Sequence, residues 1–273
     1  MTRNLEPGQF YGEILGKRQD SGLILSELKH GGARKLPNHS HELAYFCLLL
    51  SGTYSEQFGT KWVNYKPLTV MFHPSGTTHL DEIGPTGGRF FSVELKQEWI
   101  DRLRDCVGLL NPATSLHEGE LAWLALRLYR EHREFDACSP LTIEGLVLEM
   151  LAIVGRMRDV REQHVPAWLA RATDLLREEF RSNLKVRDIA VEVGVHPFHL
   201  SRVFRKFHRE TIGEYVHKLR VNFACRQLSM PDTDLATVAL AAGFADQSHF
   251  TRVFKNVTGM TPGVFKQLAG ENN

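Results

Sequence analysis

Two stretches of the chain, HLSRVFRKFHRETIGEY at residues 199–215 and HFTRVFKNVTGMTPGVF at residues 249–265, are near copies of each other. An internal repeat points to two copies of one structural unit, so it is the first feature to interpret. Within each copy the apolar residues recur at i, i+3, i+4 and i+7, which is the spacing of the buried face of a helix. The repeat therefore predicts a shared core and two different exposed surfaces.

A short helical segment precedes each copy, IAVEVG from Ile189 in the first unit and VALAAG from Val238 in the second. Each segment places an alanine four residues before a glycine, as two helices that cross steeply around a left-handed turn require. The connection that follows is one residue longer in the second unit. The pattern predicts two helix-turn-helix units, at about residues 186–207 and 235–257, joined by a helix that begins near Thr211.

The exposed residues of the second helix in each unit are suited to reading base edges in a DNA major groove. Arg202 and Arg252 occupy matching positions, and each guanidinium can bind a guanine through two hydrogen bonds. Residues 166–273 carry 15 Lys and Arg against 11 Asp and Glu, a net charge of +4, whereas residues 1–165 carry 18 against 21, a net charge of −3. The alternative is a helical protein-interaction domain, but two copies with nearly the same spacing favour DNA.

The stretch GFADQSHFTRVFKNVTGMTP, residues 243–262, resembles the signature of AraC/XylS-type transcription regulators, and IAVEVGVHPFHLSRVFRK, residues 189–206, resembles that family's first motif. The resemblance covers about residues 170–268. It implies a sequence-specific regulator whose two motifs enter adjacent major grooves of double-stranded DNA, and which contacts RNA polymerase if it is an activator. The predicted DNA-binding residues are His196, Phe198, Ser201, Arg202, Arg205, Gln247, Ser248, Thr251 and Arg252.

One position departs from the repeat. The first copy has Arg209 where the second has Gly259. The cap after the first of these helices is therefore not expected to be a glycine turn.

The N-terminal half reads as short strands, with alternating apolar residues and frequent Gly and Pro over residues 10–95. It resembles the cupin-like sensor domain of the same family. The expected fold class is therefore α+β and multidomain: a cupin-like β-barrel or sandwich, then helices, then an all-α domain with two helix-turn-helix motifs. The predicted domains are an effector-sensing β domain (1–96), a helical linker or dimerisation element (97–163) and a DNA-binding domain (164–273).

Three histidines of the N-terminal half are candidates for a site. His39 and His41 are two residues apart, so on a strand they share a face. His79, from a later strand, can complete a three-histidine set suited to a divalent metal. Cupin enzymes usually add a Glu a few residues later, where this sequence has Tyr45 and Phe46, and Asp81 is a candidate substitute. The alternatives are that these histidines line an organic-effector pocket or are structural.

These features predict a ligand-responsive transcription regulator that binds a small-molecule effector and is not an enzyme. The alternative is a metal-dependent cupin enzyme fused to a DNA-binding domain, which the missing Glu disfavours. A third reading is a DNA-binding protein whose degenerate sensor takes no effector.

A helix predicted at residues 141–158 is apolar on more than one face. Such a helix buries a second face, either in its own domain or against another subunit. The stripe proposed for a homodimer contact consists of Ile143, Leu146, Val147, Met150, Leu151 and Val154.

The sequence contains no apolar run of about 20 residues and no secretory leader pattern. Its four cysteines are widely spaced, which is typical of free thiols in a protein of a reducing compartment. The expected location is the cytoplasm, without a membrane partner.

Overall fold

The computed structural model describes residues 3–102, 114–117, 120–162, 165–230 and 233–270. The chain divides into two compact units, Met1–Met157 and Arg158–Asn273. Strands dominate the first unit, and the described part of the second contains helices alone. The predicted fold class, a β domain followed by a helical domain, is confirmed. None of the described helices is both long enough and apolar enough to cross a bilayer.

The described residues of the first unit form ten strands and three helices. The strands are β1 (Arg3–Leu5), β2 (Glu13–Asp20), β3 (Leu23–His30), β4 (Arg34–Lys35), β5 (His39–His41), β6 (Ala44–Phe58), β7 (Lys61–Tyr65), β8 (Thr69–His73), β9 (Leu80–Leu95) and β10 (Thr114–His117). The helices are α1 (Gln97–Arg102), α2 (Glu120–Arg133) and α3 (Ser139–Glu162).

Eight of these strands form one sheet, and β1 pairs with β5 in a separate parallel pair. The main order is β10-β8-β6-β9-β3-β2, with β4 beside β9 and β7 beside β6. Strand β6 has register shifts between Leu49 and Ser51 and between Gly52 and Tyr54, and such bulges bend a strand and increase its twist. A two-residue turn, Gly59 and Thr60, joins β6 to β7, and Gly59 has φ of +60°.

Strand β10 lies where the sequence predicts helices. Residues Thr114–His117 instead pair antiparallel with β8 at the edge of the sheet. A four-residue strand with one large apolar side chain, Leu116, is too short to show a period of two, so its pairing with β8 is what identifies it.

Helix α3 buries the stripe proposed for dimerisation. The six side chains are at most 4 % exposed within the single chain: Ile143, Leu146, Val147, Met150, Leu151 and Val154. A side chain packed inside its own protomer offers no surface to a partner, so this assignment is corrected and the stripe is core. Apolar residues remain exposed elsewhere on α3, at Leu141 (77 %) and Leu148 (38 %), and Gly145 between them faces open space.

The second unit consists of seven described helices. They are α4 (Ala167–Glu179), α5 (Val186–Glu192), α6 (Pro197–His208), α7 (Ile212–Leu228), α8 (Leu235–Ala241), α9 (Gln247–Thr258) and α10 (Pro262–Gly270). Helices α5 and α6 form the first helix-turn-helix unit, and α8 and α9 form the second. Helix α7 joins the two helix-turn-helix units and packs against helices of both.

The two helix-turn-helix units repeat the same packing. Ala190 and Ala239 are fully buried where the helices of each unit cross. The backbone N–H of Val195 donates to the carbonyl of Ala190 (2.9 Å), and that of Phe244 donates to the carbonyl of Ala239 (3.0 Å). These matching bonds close the same left-handed turn after each first helix.

The caps after α6 and α9 share one geometry in spite of their different residues. Arg209 has φ of 62° and ψ of 13°, and Gly259 has φ of 77° and ψ of 0°. Each donates its backbone N–H to a carbonyl four residues earlier. The two caps therefore differ in residue type but not in backbone conformation. Arg209 adopts the left-handed conformation, which costs a non-glycine residue about 1–2 kcal/mol.

Candidate functional site

Helices α6 and α9, hereafter the reading helices, begin at well-defined caps. In α6 the imidazole Nδ1 of His196 accepts a hydrogen bond from the backbone N–H of Phe198 (3.3 Å), and Pro197 occupies the first helical position. In α9 the carboxylate of Asp246 accepts from the N–H of His249 (2.7 Å). The caps fix which side chains stand at the N-terminal end, the end that contacts bases in helix-turn-helix proteins.

The predicted DNA-binding side chains all reach the surface. Thr251 is partly exposed and the other eight are exposed: His196, Phe198, Ser201, Arg202, Arg205, Gln247, Ser248 and Arg252. Among the described residues, neither Arg202 nor Arg252 has a hydrogen-bond or ion-pair partner. Phe198 is 72 % exposed, so an aromatic ring stands in water at the start of α6. The surface presents two free guanidinium groups and one apolar contact, which are the groups that read guanine and thymine.

Helix α7 holds the two reading helices in one domain. Its start is fixed by a capping box, in which the Thr211 hydroxyl accepts from the N–H of Glu214 (3.2 Å) and the Glu214 carboxylate accepts from the N–H of Thr211 (2.7 Å). It contacts α6 and α9 as well as α4, α8 and α10. Two reading helices packed on one rigid helix keep a fixed separation.

The three predicted histidines of the first unit lie together. His39 and His41 are on β5, and His79 precedes β9, where its backbone exchanges two hydrogen bonds of 2.9 Å with His39. One nitrogen of each ring lies within 4.8 Å of the others, and all three side chains are buried. Burial, reinforced by His79 and His39, lowers the pKa of His41 to about 2. Three neutral imidazoles at this separation can share one metal ion.

Backbone carbonyls orient two of these rings. Nδ1 of His39 lies 2.9 Å from the carbonyl oxygen of Pro37, and Nδ1 of His79 lies 3.1 Å from that of Thr77. A carbonyl can only accept, so Nδ1 carries the proton in both rings. Burial lowers the pKa of His39, and burial together with His73 lowers the pKa of His79 to about 3. Both rings are therefore neutral, with the lone pair on Nε2.

Two further members of the cluster were not predicted from the sequence: Glu56 on β6 and His73 at the end of β8. Nε2 of His73 lies 3.1 Å from Oε1 of Glu56, and both residues are buried. With His79 they form a second set whose ligand atoms lie within 4.8 Å of one another. The only sequence signal is weak, since Glu56 follows Tyr54 at the alternate spacing of one strand face.

Glu56 is fully hydrogen-bonded. Its Oε1 accepts from the hydroxyl of Tyr54 (2.7 Å), and its Oε2 accepts from the hydroxyl of Tyr65 (2.9 Å) and lies 3.2 Å from Nε2 of His73. Burial by itself would raise the pKa of Glu56, but the charge and hydrogen bond of His73 outweigh burial and lower it to about 2. Glu56 is thus an ionised carboxylate stabilised by its neighbours.

Asp81 lies opposite Glu56 in the β6–β9 register. One carboxylate oxygen is 3.6 Å from Nε2 of His39, and the other is 3.7 Å from Nε2 of His79. Burial, with the negative charge of Glu56, raises the pKa of Asp81 well above its ordinary value. No Lys or Arg is among the described residues that line this part of the domain, so neither Glu56 nor Asp81 has a Lys or Arg partner in the cavity lining.

The cluster borders a cavity of about 40 Å³. Two aromatic rings cover it, since the ring of Phe10 lies 4.7 Å from that of His41 and the ring of Tyr11 lies 5.0 Å from that of His39. A ligand of ordinary drug size occupies roughly 300–1,000 Å³, whereas a water molecule occupies about 30 Å³. The cavity therefore has room for an ion or a water molecule.

Comparisons with known proteins bear on both units. A family profile described as a helix-turn-helix domain matches residues 189–267. The probable transcription factor PqrA of Proteus vulgaris is 38 % identical over 100 residues, which are 37 % of this chain and 78 % of that protein. A putative AraC-like transcription regulator of Streptomyces lividans is 29 % identical over 198 residues, which are 68 % of this chain and 64 % of that protein, just under two thirds of its length.

Among solved structures, a transcriptional regulator of Chromobacterium violaceum with an AraC-type DNA-binding domain aligns with 39 % of this chain and 95 % of its own, at 26 % identity and a TM-score of 0.36. The profile match covers most of both helix-turn-helix units, and the match to PqrA extends over most of that protein. This chain belongs to the AraC family of DNA-binding transcription regulators.

Proposed function

We propose that this regulator reads two adjacent major-groove segments with α6 and α9, and that a small effector bound in the β domain controls this binding. The observation that carries the proposal is the repeated pair of reading helices with different exposed side chains. The shared core residues give the two helix-turn-helix units the same fold, so both can dock on DNA in the same way. Their different exposed side chains let each unit read a different base sequence.

A selection experiment tests the DNA part of the proposal. The full chain is used to select bound duplexes from a random pool, and the enriched sites are footprinted. We expect two conserved segments of different sequence whose centres lie about 10 base pairs apart, since successive major grooves on one face of DNA recur at that distance. A single conserved segment, or no enrichment, would contradict reading by both helices.

The β domain is proposed as a sensor. Its buried cluster of histidines and carboxylates is a polar site in an apolar interior, which is typical of a binding site. The alternative, a metal-dependent cupin enzyme, is disfavoured because the sequence lacks the Glu that such enzymes usually have a few residues after the second histidine. In an activator, the DNA-bound domain would in addition contact RNA polymerase.

We further propose that the regulator is a homodimer through the exposed face of α3 that contains Leu141, Gly145 and Leu148. Leu148→Glu places a charge on this face and is expected to raise the dimer dissociation constant at least tenfold, about 1.4 kcal/mol, without lowering the melting temperature of the monomer. Sedimentation equilibrium measures the dissociation constant.

The matched control is Leu151→Glu, three residues along the same helix. Leu151 is 3 % exposed, so a charge there is buried and should lower the free energy of unfolding by more than about 3 kcal/mol. A parent protein that is monomeric, or a Leu148→Glu variant that dimerises like the parent, would contradict the dimer face.

A further inference from the structure

We propose that Arg220 of α7 is a positioning residue for DNA reading: it joins the end of α4 to the second helix-turn-helix unit and so sets the orientation of α9 relative to α6. This inference rests on the proposed reading by both helices and adds the contact that fixes their arrangement. The arrangement matters because two rigid reading helices enter adjacent major grooves together only when their separation and angle match those of the DNA.

The guanidinium of Arg220 bridges α7 to the chain that leaves α4. Its Nε donates a hydrogen bond to the carbonyl oxygen of Phe180 (2.7 Å), and its Nη2 donates to that of Ser182 (2.9 Å). These carbonyls lie at the C-cap of α4 and two residues beyond it, where the helix leaves acceptors without an internal donor and its dipole favours a cation. No carboxylate among the described residues pairs with Arg220, so its charge is directed at the two carbonyls.

The same guanidinium faces the second helix-turn-helix unit. Its Cζ atom lies 5.8 Å from the ring centroid of Phe244, within the range of a cation–π contact. Phe244 is buried in the turn between α8 and α9, and its ring lies 5.2 Å from that of Phe250 on α9. Arg220 therefore contacts the turn from which the second reading helix begins.

Helix α4, in contrast, belongs to the core of the first helix-turn-helix unit. Its residues Leu169, Ala172 and Leu176 are fully buried in one apolar cluster with residues of α5 and α6. Just beyond α4, the backbone of Arg181 closely approaches Gly243 in the turn of the second helix-turn-helix unit. The segment 180–182 thus connects the core of one helix-turn-helix unit directly to the turn of the other.

This connection supplies a contact that α7 alone does not. Packing on α7 sets the distance of each reading helix from that helix, but only side-chain packing opposes rotation about its axis. A contact through the segment 180–182, away from the axis, opposes that rotation. Arginine suits the position because its planar guanidinium donates to two carbonyls at once. Partial burial, which lowers the pKa of Arg220, places these bonds where they are stronger than in water.

Operators of altered spacing test this role. The full chain and its Arg220→Ala and Arg220→Lys variants are titrated with the selected operator, with duplexes that have one base pair more or fewer between the two segments, and with duplexes that keep a single segment. One inserted base pair moves the second segment by about 3.4 Å and turns it by about 35°, so the parent protein should lose at least about tenfold in affinity.

Arg220→Ala should bind the operator at least about fivefold more weakly than the parent, and its ratio of operator affinity to inserted-duplex affinity should fall at least about threefold, because a looser connection lowers the gain from two linked contacts. Its affinity for a single segment should change by less than about twofold, since each helix-turn-helix unit keeps its own core. Arg220→Lys keeps the charge without the planar donor pair and should lie between the two.

Lys218→Ala is the matched control. Lys218 lies on the same helix, and its ammonium pairs with the Glu210 carboxylate (2.8 Å). Its removal takes a cation from α7 without touching the bridge to α4, so the affinity ratio should stay parental. Thermal unfolding of each variant checks that it is folded, and Arg220→Lys carries every comparison if Arg220→Ala melts below the temperature of the assay.

A measurement without DNA reads the arrangement itself. Spin labels are attached at Lys206→Cys and Asn256→Cys, which are exposed and occupy matching positions of α6 and α9, in a background free of other accessible cysteines. Pulsed dipolar spectroscopy should give one narrow distance distribution in the parent and a broader one in both Arg220 variants.

An equal loss of affinity on every duplex would show that Arg220 only stabilises the domain, and would overturn its positioning role. An unchanged affinity ratio or an unchanged distance distribution in the Arg220 variants would overturn it as well. A parent protein indifferent to the spacing would instead contradict the proposed reading by both helices, and this inference with it.

Discussion

Arg202→Ala and Arg252→Ala are each expected to weaken binding of the selected operator by about 1–3 kcal/mol, roughly 5- to 150-fold in affinity. Both side chains are exposed at matching positions of the reading helices, and neither has a partner among the described residues. Removing them therefore costs the fold little, and the loss falls on the DNA contact. Because the two helices read different segments, each variant should lose preference at its own segment only.

The measurement is a binding isotherm at fixed salt on the operator and on duplexes altered in one segment. Arg171→Ala is the control, since it removes an exposed arginine that lies on α4 and not on a reading helix. A control that loses as much affinity as the two test variants would indicate a general charge effect. Unchanged affinity in both test variants would show that the reading helices are assigned wrongly.

The DNA-binding half was predictable from sequence because the repeat specifies it twice. The apolar spacing in each copy identifies the core, and the one-residue difference between connections is present in the structure as the longer segment before α9. Arg209 was less predictable. A left-handed cap is usually marked by a glycine in the sequence, and here an arginine adopts that conformation.

The sensor half was predictable only in part. His39, His41 and His79 come together as the sequence suggested, because two lie on one strand face and the third pairs beside them. Glu56 and His73 were missed because they join the cluster through long-range pairing. Tyr45 and Glu56 are an odd number of residues apart, so a regular strand would place them on opposite faces, yet both line the cavity. The two register shifts of β6 lie between them, and a register altered by bulges has no local sequence signature.

Helix α3 illustrates a different failure. A helix that is apolar on two faces does not reveal which face meets its own domain. The longer and more regular stripe proved to be core, and the exposed residues, Leu141 and Leu148, were those that lay off it. Burial within the protomer depends on tertiary packing, which the helical periodicity of the sequence does not specify.

The two glycines of the repeat, equivalent in sequence, are expected to differ sharply in what they tolerate. Gly194 and Gly243 both have positive φ, +72° and +84°. A Cβ at Gly194 would meet nothing within 4 Å, whereas a Cβ at Gly243 would overlap the backbone carbonyl oxygen of Arg181 and lie 2.8 Å from its Cα. Gly194→Ala should therefore cost only the left-handed conformation, about 1–2 kcal/mol.

Gly243→Ala adds a backbone clash to that cost, and overpacking of this kind adds about 1–3 kcal/mol, for a total of roughly 2–5 kcal/mol. Denaturant unfolding of the full chain gives the overall loss, and amide hydrogen exchange shows where it falls. We expect protection to drop in α8 and α9 for Gly243→Ala and to remain near parental in the same helices for Gly194→Ala. Equal losses of unfolding free energy in the two variants would mean that the close approach of Arg181 does not constrain the second helix-turn-helix unit. A selective loss would show that the segment just after α4 constrains the second helix-turn-helix unit through its close approach to Gly243, so that one glycine maintains the spacing on which reading two grooves depends.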